Sequence, residues 1–216
     1  MLTEKYDFFC GKLKLEGLLH LPGESAASPE MLPGVVVCHP HPLYGGNMHN
    51  NVVAAVARAL SEEGIAVLSF NFRGVGASEG SFDDGNGEQD DLKAALAALS
   101  EHPQVDSSRL AVAGYSFGGM VALLAAGGCD QMRALALVSP VVTRGLMHGL
   151  QKPVYAICGT KDHVVATEML IEEAAKADPP GQVVLIKGVD HFWGGCEQEM
   201  AGKVTAFLAG ELKPGH

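Results

Sequence analysis

Short apolar runs alternate with longer Ala-rich or amphipathic stretches over most of this chain. The apolar runs are bounded by Gly, Pro or polar residues, which is typical of buried strands, and they are Gly34–Cys38, Ala66–Phe70, Leu110–Gly114, Ala134–Val138, Pro153–Cys158 and Val183–Ile186. The longer stretches predict helices at Asn51–Glu63, Glu88–Glu101, Phe117–Gly127, Thr167–Ala177 and Glu197–Ala209. This alternation predicts an α/β fold with a doubly wound, mostly parallel sheet and right-handed crossovers.

The N-terminal segment has a different pattern. From Lys5 to Leu21, apolar and polar residues alternate around Gly11, which predicts an antiparallel hairpin at the edge of the sheet. A loop rich in Pro, Ser, Ala and Gly is expected from Pro22 to Pro33.

We find no internal repeat and no linker long enough to separate two domains, so residues 1–216 are expected to form a single domain. Only about ten residues lie between Val142 and the strand that begins at Pro153, which is room for one short helix. A cap domain over the site is therefore not expected.

Composition agrees with this architecture and narrows the partners. Apolar residues make up 47% of the chain and aromatic residues 6%, as expected for aliphatic strands and Ala-rich helices in a buried parallel sheet. The net charge of −10 repels phosphate backbones and anionic lipid surfaces. We therefore expect no nucleic-acid partner and no membrane partner.

The cysteines and the N-terminus indicate a reducing compartment. The cysteine count is odd and no C-x-x-C occurs, which favours reduced thiols over a disulfide framework. The N-terminus has no basic region followed by an apolar stretch, and the longest apolar run is too short to span a bilayer. A cytoplasmic location is expected.

The strongest chemical signal is GYSFGG at residues 114–119, a G-x-S-x-G pattern between an apolar strand and an apolar helix. A sharp strand-to-helix turn would hold Ser116 above the sheet in a strained conformation. Very small residues are needed on either side of such a turn. The following helix would direct N–H groups toward negative charge that develops on a substrate oxygen. We identify Ser116 as a candidate nucleophile.

A serine nucleophile needs a base, and the base needs an orienting acid. Asp162 and His191 follow Ser116 in the chain, each just beyond the end of a predicted strand. Asp190 and His163 are the rival acid and base. The order Ser, then Asp, then His is that of this type of fold, and it predicts a catalytic triad of Ser116, Asp162 and His191. The choice of Asp162 and His191 over their rivals is what the family resemblance described below implies.

The loop after the first central strand is HPHPLYGG at residues 39–46. Pro40 and Pro42 have no N–H to donate, but His41 does. We predict the backbone N–H groups of Phe117 and His41 as the oxyanion hole.

Aromatic side chains near these motifs are candidates for the substrate site. We predict substrate contacts for Tyr44, Tyr115 and Trp193, with Phe117 and Phe192 as further candidates.

Three alternatives for these segments are weaker. His39, His41 and His49 could be metal ligands, but no acidic or cysteine partner is spaced as a ligand, so no metal and no cofactor are predicted. The G-x-G at Gly74 and Gly76 lacks the context of a dinucleotide fingerprint, and we expect Arg73 to brace that loop instead. The cysteines at strand ends, Cys38 and Cys158, are more typical of a core than of a nucleophile.

Together these residues resemble the α/β-hydrolase superfamily, from about Leu13 to Leu208. The motifs that carry the resemblance are HPHPLYGG, NFRGVGASEG at 71–80, GYSFGG, GTKDHVV at 159–165 and GVDHFW at 189–193. They are similar to those of small, lidless bacterial serine hydrolases related to dienelactone hydrolases and to serine aminopeptidase-like esterases. Ser116 stands where dienelactone hydrolases have cysteine.

The resemblance implies an acyl-enzyme mechanism on small carboxylic esters or thioesters. A peptidase or amidase with the same triad is an alternative, and so is a non-catalytic binding protein that retains the fold. A homodimer is the base-rate expectation for the assembly.

Overall fold

The computed structural model describes residues 2–23 and 31–213. Within them the strands are β1 (Leu2–Lys5), β2 (Phe8–Cys10), β3 (Leu13–Leu15), β4 (Gly17–Leu21), β5 (Leu32–Cys38), β6 (Ala66–Phe70), β7 (Val105–Tyr115), β8 (Met132–Val138), β9 (Val154–Gly159) and β10 (Gln182–Ile186). The helices are α1 (Asn51–Glu62), α2 (Asn86–Ser100), α3 (Phe117–Ala126), α4 (Thr167–Ala174) and α5 (Glu197–Glu211).

The described residues form an eight-stranded sheet in the order β1-β4-β6-β5-β7-β8-β9-β10. Strands β5 to β10 are parallel to one another, while β4 is antiparallel to β6 and β1 is antiparallel to β4. This confirms the α/β-hydrolase fold, a doubly wound and mostly parallel sheet with antiparallel N-terminal strands.

Helices cover both faces of the sheet. The side chains of α1 and α5 pack together on one face, in a core that includes Val56, Leu60, Val204 and Leu208. The side chains of α2, α3 and α4 pack on the other face. Burial on both faces explains why the central strands are continuous apolar runs without alternation.

The N-terminal hairpin forms, but not at the edge of the main sheet as predicted. Strands β2 and β3 pair as a separate two-stranded sheet around Gly11, and the antiparallel edge is made by β1 and β4. The hairpin leaves the sheet because Phe8 and Leu15 are buried against the core, where Phe8 contacts Phe70 edge to face.

The predicted loop from Pro22 to Pro33 is only partly described, because residues 24–30 lie outside the described residues. The predicted C-terminal boundary of this loop is wrong, since Leu32 and Pro33 belong to β5. The amide of Leu32 donates to Gln104 O at 2.7 Å, and the register against β7 shifts between Leu32 and Gly34. This irregularity accommodates Pro33, which has no N–H for the ladder.

The carboxyl ends of β5, β7, β8, β9 and β10 meet at one edge of the sheet because these strands are parallel. Residues 139–153, between β8 and β9, contain turns but neither a helix nor a strand, so no cap domain is inserted there. In residues 2–23 and 31–213, no helix has both the length and the hydropathy needed to cross a membrane.

Candidate active site

Ser116 lies at the turn between β7 and α3, with φ 54° and ψ −114°. A non-glycine residue with positive φ is uncommon, and strain of this kind clusters at functional sites. The amide of Ser116 donates to Val138 O at 2.9 Å, which ties the turn to the neighbouring strand β8. The backbone therefore holds the hydroxyl at the carboxyl edge of the sheet.

The glycines around Ser116 are required by close backbone contacts. A Cβ at Gly114 would lie 2.6 Å from Gly118 O, and a Cβ at Gly118 would lie 2.5 Å from Cys38 O. At Gly119, a Cβ would lie 3.0 Å from the Cβ of Pro140. The G-x-S-x-G-G pattern thus reflects the packing of β7 and α3 against the loops that follow β5 and β8.

The structure brings the three predicted triad residues together. Ser116 Oγ lies 3.1 Å from His191 Nε2, and His191 Nδ1 lies 2.8 Å from Asp162 Oδ2. The carboxylate can only accept, so Nδ1 carries a hydrogen and, in the neutral ring, Nε2 accepts from the Ser116 hydroxyl. All three residues are buried.

The rival residues are directed elsewhere. Asp190 Oδ1 accepts from the amide of Phe192 at 3.0 Å, within its own loop. His163 is exposed. Of the two acids and two bases considered from the sequence, only Asp162 and His191 form the hydrogen-bonded line to Ser116.

Asp162 is held as a carboxylate. Its Oδ1 accepts from the amides of Val164 at 2.9 Å and Val165 at 3.0 Å. Burial alone would raise the pKa of Asp162, but the hydrogen bonds from His191, these amides and the Ser139 hydroxyl outweigh it and lower the pKa below its usual value. A negative charge is therefore fixed beside His191 at neutral pH.

Tyr115 supports the backbone of His191. Its hydroxyl donates to His191 O at 2.9 Å, and the two rings lie 5.5 Å apart. Burial, and then the charges of Asp162 and Asp190, raise the pKa of Tyr115 to about 12. The phenol is therefore protonated and remains a donor.

The loop after β5 is organised by His39. This buried ring lies 2.6 Å from Pro40 O through Nδ1 and accepts from the amide of Phe72 at 3.1 Å through Nε2. Burial lowers the pKa of His39 to about 4, although the bond to Pro40 O acts in the opposite direction. The neutral ring fixes the loop that presents His41.

His41 and Phe117, the predicted oxyanion residues, both line the pocket that contains Ser116. Phe117 is the first residue of α3, so its N–H has no acceptor within the helix. The ring of His41 lies 4.9 Å from the ring of Phe117, and its Nδ1 accepts from the amide of Leu43 at 3.2 Å. Both residues therefore lie at the site, and the role of their backbone N–H groups as an oxyanion hole stays a prediction.

The pocket over Ser116 has a volume of about 900 Å³. Tyr44 and Tyr115 line it, as predicted, and so does Phe192. Further residues that were not predicted also line the pocket, and they are mostly apolar: Phe82, Asp84, Met120, Val141 and Val164. Phe82 and Asp84 follow the NFRGVGASEG motif, but nothing in their local pattern indicates that the loop folds back to the site.

The predicted substrate contact of Trp193 is wrong, because its side chain does not reach the pocket. Its side chain is fully buried in the core formed with α1 and α5. Its Nε1 donates to Ser139 Oγ at 3.0 Å. Of the two aromatic residues at the end of GVDHFW, Trp193 therefore packs in the core and Phe192 is exposed.

Arg73 braces its loop as expected. Its guanidinium lies 2.7 Å from Asp91 Oδ1, and its amide donates to Asp91 Oδ2 at 3.0 Å. The carboxylate of Asp91 is buried in α2, so the pair fixes the loop between β6 and α2 that carries Phe82.

The weaker alternatives gain no support in the described part of the chain. No cluster of three or more His, Cys, Asp or Glu side chains within it could hold a metal ion. The cysteines are free thiols. Burial and then the charge of Asp162 raise the pKa of Cys158 to about 12, and burial raises the pKa of Cys38, so neither is a thiolate at neutral pH.

Most of the chain is similar in sequence to known proteins. A family model described as serine aminopeptidase, S33, matches residues 33–179. An uncharacterized protein of Rickettsia prowazekii is 30% identical over 204 residues, covering 89% of this chain and 85% of the relative.

Two solved structures are similar over almost their whole length. An α/β serine hydrolase homologue from Coxiella burnetii has a TM-score of 0.83 and 32% identity, covering 96% of this chain and 98% of its own. A serine hydrolase without a lid from Xanthomonas campestris has a TM-score of 0.87 and 31% identity, covering 99% of this chain and 96% of its own.

Proposed function

Because the chain belongs to the serine aminopeptidase (S33) family of α/β serine hydrolases, we propose that it cleaves carboxylic esters or thioesters through an acyl-enzyme on Ser116. The observation that carries this proposal is the hydrogen-bonded line from Ser116 Oγ through His191 to Asp162, at 3.1 and 2.8 Å. A serine with a base and an oriented acid inside a pocket is an activated nucleophile.

The catalytic cycle follows from the roles of these groups. His191 takes the proton of Ser116 as its oxygen attacks the acyl carbon, and Asp162 stabilises the resulting imidazolium. The imidazolium then protonates the leaving alcohol or thiol, and the C–O or C–S bond breaks. Water activated by the same histidine attacks the acyl-enzyme, which releases the acid and restores Ser116.

The developing oxyanion would be held by the N–H groups of Phe117 and His41. The N-terminus of α3 contributes its partial positive charge at the same point. Removing one such donor typically costs about 10²–10³ in kcat. This part of the proposal rests on the position of both residues in the pocket wall.

The pocket favours substrates with an apolar body and no negative charge. His41, Tyr44, Phe82 and Phe117 form one wall, with His41 about 5 Å from each of the other rings. Among the described residues, no Lys or Arg lines the pocket, and Asp84 is the carboxylate at its edge. We therefore infer that uncharged aryl or alkyl esters are preferred over esters that carry a carboxylate.

Asp84 also keeps a second candidate function open. A peptidase that acts on free N-termini needs a negative group for the α-ammonium, and Asp84 has no hydrogen-bond or ion-pair partner within residues 2–23 and 31–213. A peptidase or amidase with the same triad is therefore the alternative. A purely binding role gains no support from the hydrogen-bonded nucleophile.

A matched substrate panel tests the proposal. The protein is mixed with a p-nitrophenyl ester, the corresponding thioester, the corresponding p-nitroanilide, and an amino-acyl p-nitroanilide. We expect ester or thioester turnover and, after rapid acid quench, a mass increase of one acyl group on the peptide that contains Ser116. Ser116→Ala should lose both signals.

The panel also separates the outcomes. Faster release from the amino-acyl anilide than from the ester, lost in Asp84→Asn, would replace the esterase assignment by an aminopeptidase. Absence of turnover and of the acyl adduct with every substrate in folded protein would overturn the hydrolase proposal.

A further inference from the structure

Two fully buried residues near the candidate triad have strained backbones. Ser139, just after β8, has φ 43°, and Trp193, two residues after His191, has φ 62°. A positive φ is unfavourable for any residue with a side chain, and most of all for a bulky one. Strain of this kind persists only where the surrounding structure fixes it, and it is a reason to look for a role.

The two strained residues contact each other. Trp193 Nε1 donates to Ser139 Oγ at 3.0 Å. The amide of Ser139 donates to Ile157 O at 2.8 Å, which fixes Ser139 between the ends of β8 and β9. The indole thus connects the loop that carries His191 to the strand ends beside the loop that carries Asp162.

From Ser139 the contacts continue to the carboxylate of the triad. Ser139 Oγ lies 4.0 Å from Cys158 Sγ, and Cys158 Sγ lies 3.5 Å from Asp162 Oδ2. Oδ2 is also the oxygen that accepts from His191 Nδ1. The Ser139 hydroxyl is among the groups that lower the pKa of Asp162.

The chemistry of these groups fixes the direction of the hydrogen bonds. An indole N–H can only donate, so Ser139 Oγ must accept from Trp193. The hydroxyl then has one hydrogen left to donate, and Cys158 Sγ lies 4.0 Å away as its acceptor. An ionised carboxylate can only accept, so the line ends at Asp162 and strengthens its negative form.

We propose that Ser139 and Trp193 are positioning residues that hold Asp162, and through it His191, in the geometry needed to activate Ser116. This inference rests on the proposed function of the triad. Neither residue lines the pocket, so their effect belongs in kcat and not in KM. The strained backbone at both positions places the indole N–H of Trp193 against Ser139, next to Asp162.

Other groups also face the two catalytic partners and must be held constant in the test. Tyr115 donates to His191 O, and the charge of Asp190 lies in the same loop. The thiol of Cys158 and the amides of Val164 and Val165 donate to Asp162. None of them is changed in the variants below.

The test compares Ser139→Ala, Ser139→Gly and Trp193→Phe with wild type, using p-nitrophenyl acetate. Ser139→Gly loses the hydroxyl and also removes the backbone strain, and a cooperative thermal melt then shows that a loss of activity is not a failure to fold. Trp193→Phe keeps an aromatic ring and loses the N–H. Tyr6→Phe is the control, because it removes a partly buried hydrogen bond to Ala98 O far from the site.

We expect kcat to fall about tenfold or more in all three site variants, since small misplacements of reacting groups are costly, with KM within about twofold of wild type. In Ser139→Gly the acid limb of the kcat profile should move to higher pH. The carboxylate, with one donor fewer, holds the proton of His191 more strongly. Tyr6→Phe should keep the wild-type kcat and pH profile.

A second readout does not depend on activity. The Nδ1–H proton of His191, bonded to Asp162, should give a far-downfield proton NMR signal in wild type that shifts in Ser139→Gly and Trp193→Phe. The inference would be overturned if variants that unfold cooperatively on heating kept the wild-type kcat, the wild-type fall of kcat at acidic pH and the wild-type proton shift of His191. An inactive wild type with the expected proton shifts would instead count against the proposed hydrolase function alone.

Discussion

At the scale of single residues, the candidate nucleophile depends on glycines as much as on its partners. We expect Gly118→Ala to lower activity at least about 100-fold and stability by about 1–3 kcal/mol, because the new Cβ meets the backbone oxygen of Cys38 at 2.5 Å. That oxygen cannot move without moving the end of β5. Ester turnover and a thermal melt measure the two effects.

Gly202→Ala is the matched control. Gly202 lies inside α5, and a Cβ there would have no atom within 4 Å. We expect this variant to keep full activity and to gain up to about 1 kcal/mol, because Ala is the better helix former. Equal losses in both variants would contradict the packing explanation.

His39 makes a prediction about pH. Burial lowers its pKa to about 4 in the folded state, while an unfolded chain takes up the proton near pH 6.5. Between these values the unfolded state binds more protons, so the free energy of unfolding should fall as pH decreases from about 6.5 to about 4. This residue accounts for about 3 kcal/mol of that fall.

Urea unfolding of wild type and His39→Gln across this window checks the prediction. The variant is less stable at neutral pH, but its stability should decline less on acidification because the titrating group is gone. His163→Gln, at an exposed position, should follow the wild-type curve. Parallel curves for wild type and His39→Gln would show that His39 is not the group responsible.

At this scale, residues whose identity is restricted by chemistry are predictable from the sequence, and residues whose position depends on tertiary packing are not. The proximity of Ser116, Asp162 and His191 could be predicted because each follows a strand end, and the family resemblance separated Asp162 and His191 from their rivals. Trp193 could not be placed, because burial of an aromatic ring depends on which face of the loop meets α1 and α5. Ser139 could have been proposed as a site residue, because it is a polar residue directly after a buried strand.

At the scale of elements, the parallel strands and helices were predictable and the irregular ones were not. The periodicity identified Ala66–Phe70 without error, because a buried run bounded by polar residues has few alternatives. Helix α2 begins at Asn86, before the predicted start, because the carboxylate of Glu88 accepts from the amides of Asp83 and Gly85. Such capping depends on a turn that apolar periodicity does not report.

Helix α4 fixes the segment between β8 and β9 through Glu173. This buried carboxylate lies 2.7 Å from Lys176 Nζ and accepts from the amide of Met147 at 3.2 Å. The bond from Lys176 is the main cause that lowers the pKa of Glu173 to about 2, and the amides of Gly145 and Met147 add to it. These hydrogen bonds tie the turns between β8 and β9 to α4.

We expect Glu173→Gln to lose about 1–3 kcal/mol of stability at neutral pH, because the charged hydrogen bonds to a buried group are weakened. Glu172→Gln, at the exposed neighbouring position, should stay within about 0.5 kcal/mol of wild type. The difference between the two variants should shrink as pH falls from about 4 toward 2, where wild-type Glu173 itself becomes protonated. A constant difference would mean that the charge of Glu173 is not what holds the segment.

At the scale of the whole molecule, the fold brings distant segments to one edge of the sheet. Ser116, Asp162 and His191 come from the ends of β7, β9 and β10, and His41 comes from the end of β5. This convergence follows from a parallel sheet, so the proximity of these residues was predictable from the sequence. The pocket was not predictable, because the contact of Phe82 with His41 and the presence of Met120 in the same wall depend on the tertiary packing of the loop after β6 against α3.

The central claim is that Ser116 is an activated nucleophile, and labelling of the pure, folded protein with a fluorophosphonate probe tests it most directly. Peptide mass spectrometry should find a single adduct, on Ser116, and His191→Ala should abolish it. An unlabelled Ser116 in folded protein, or labelling that survives loss of His191, would contradict the claim.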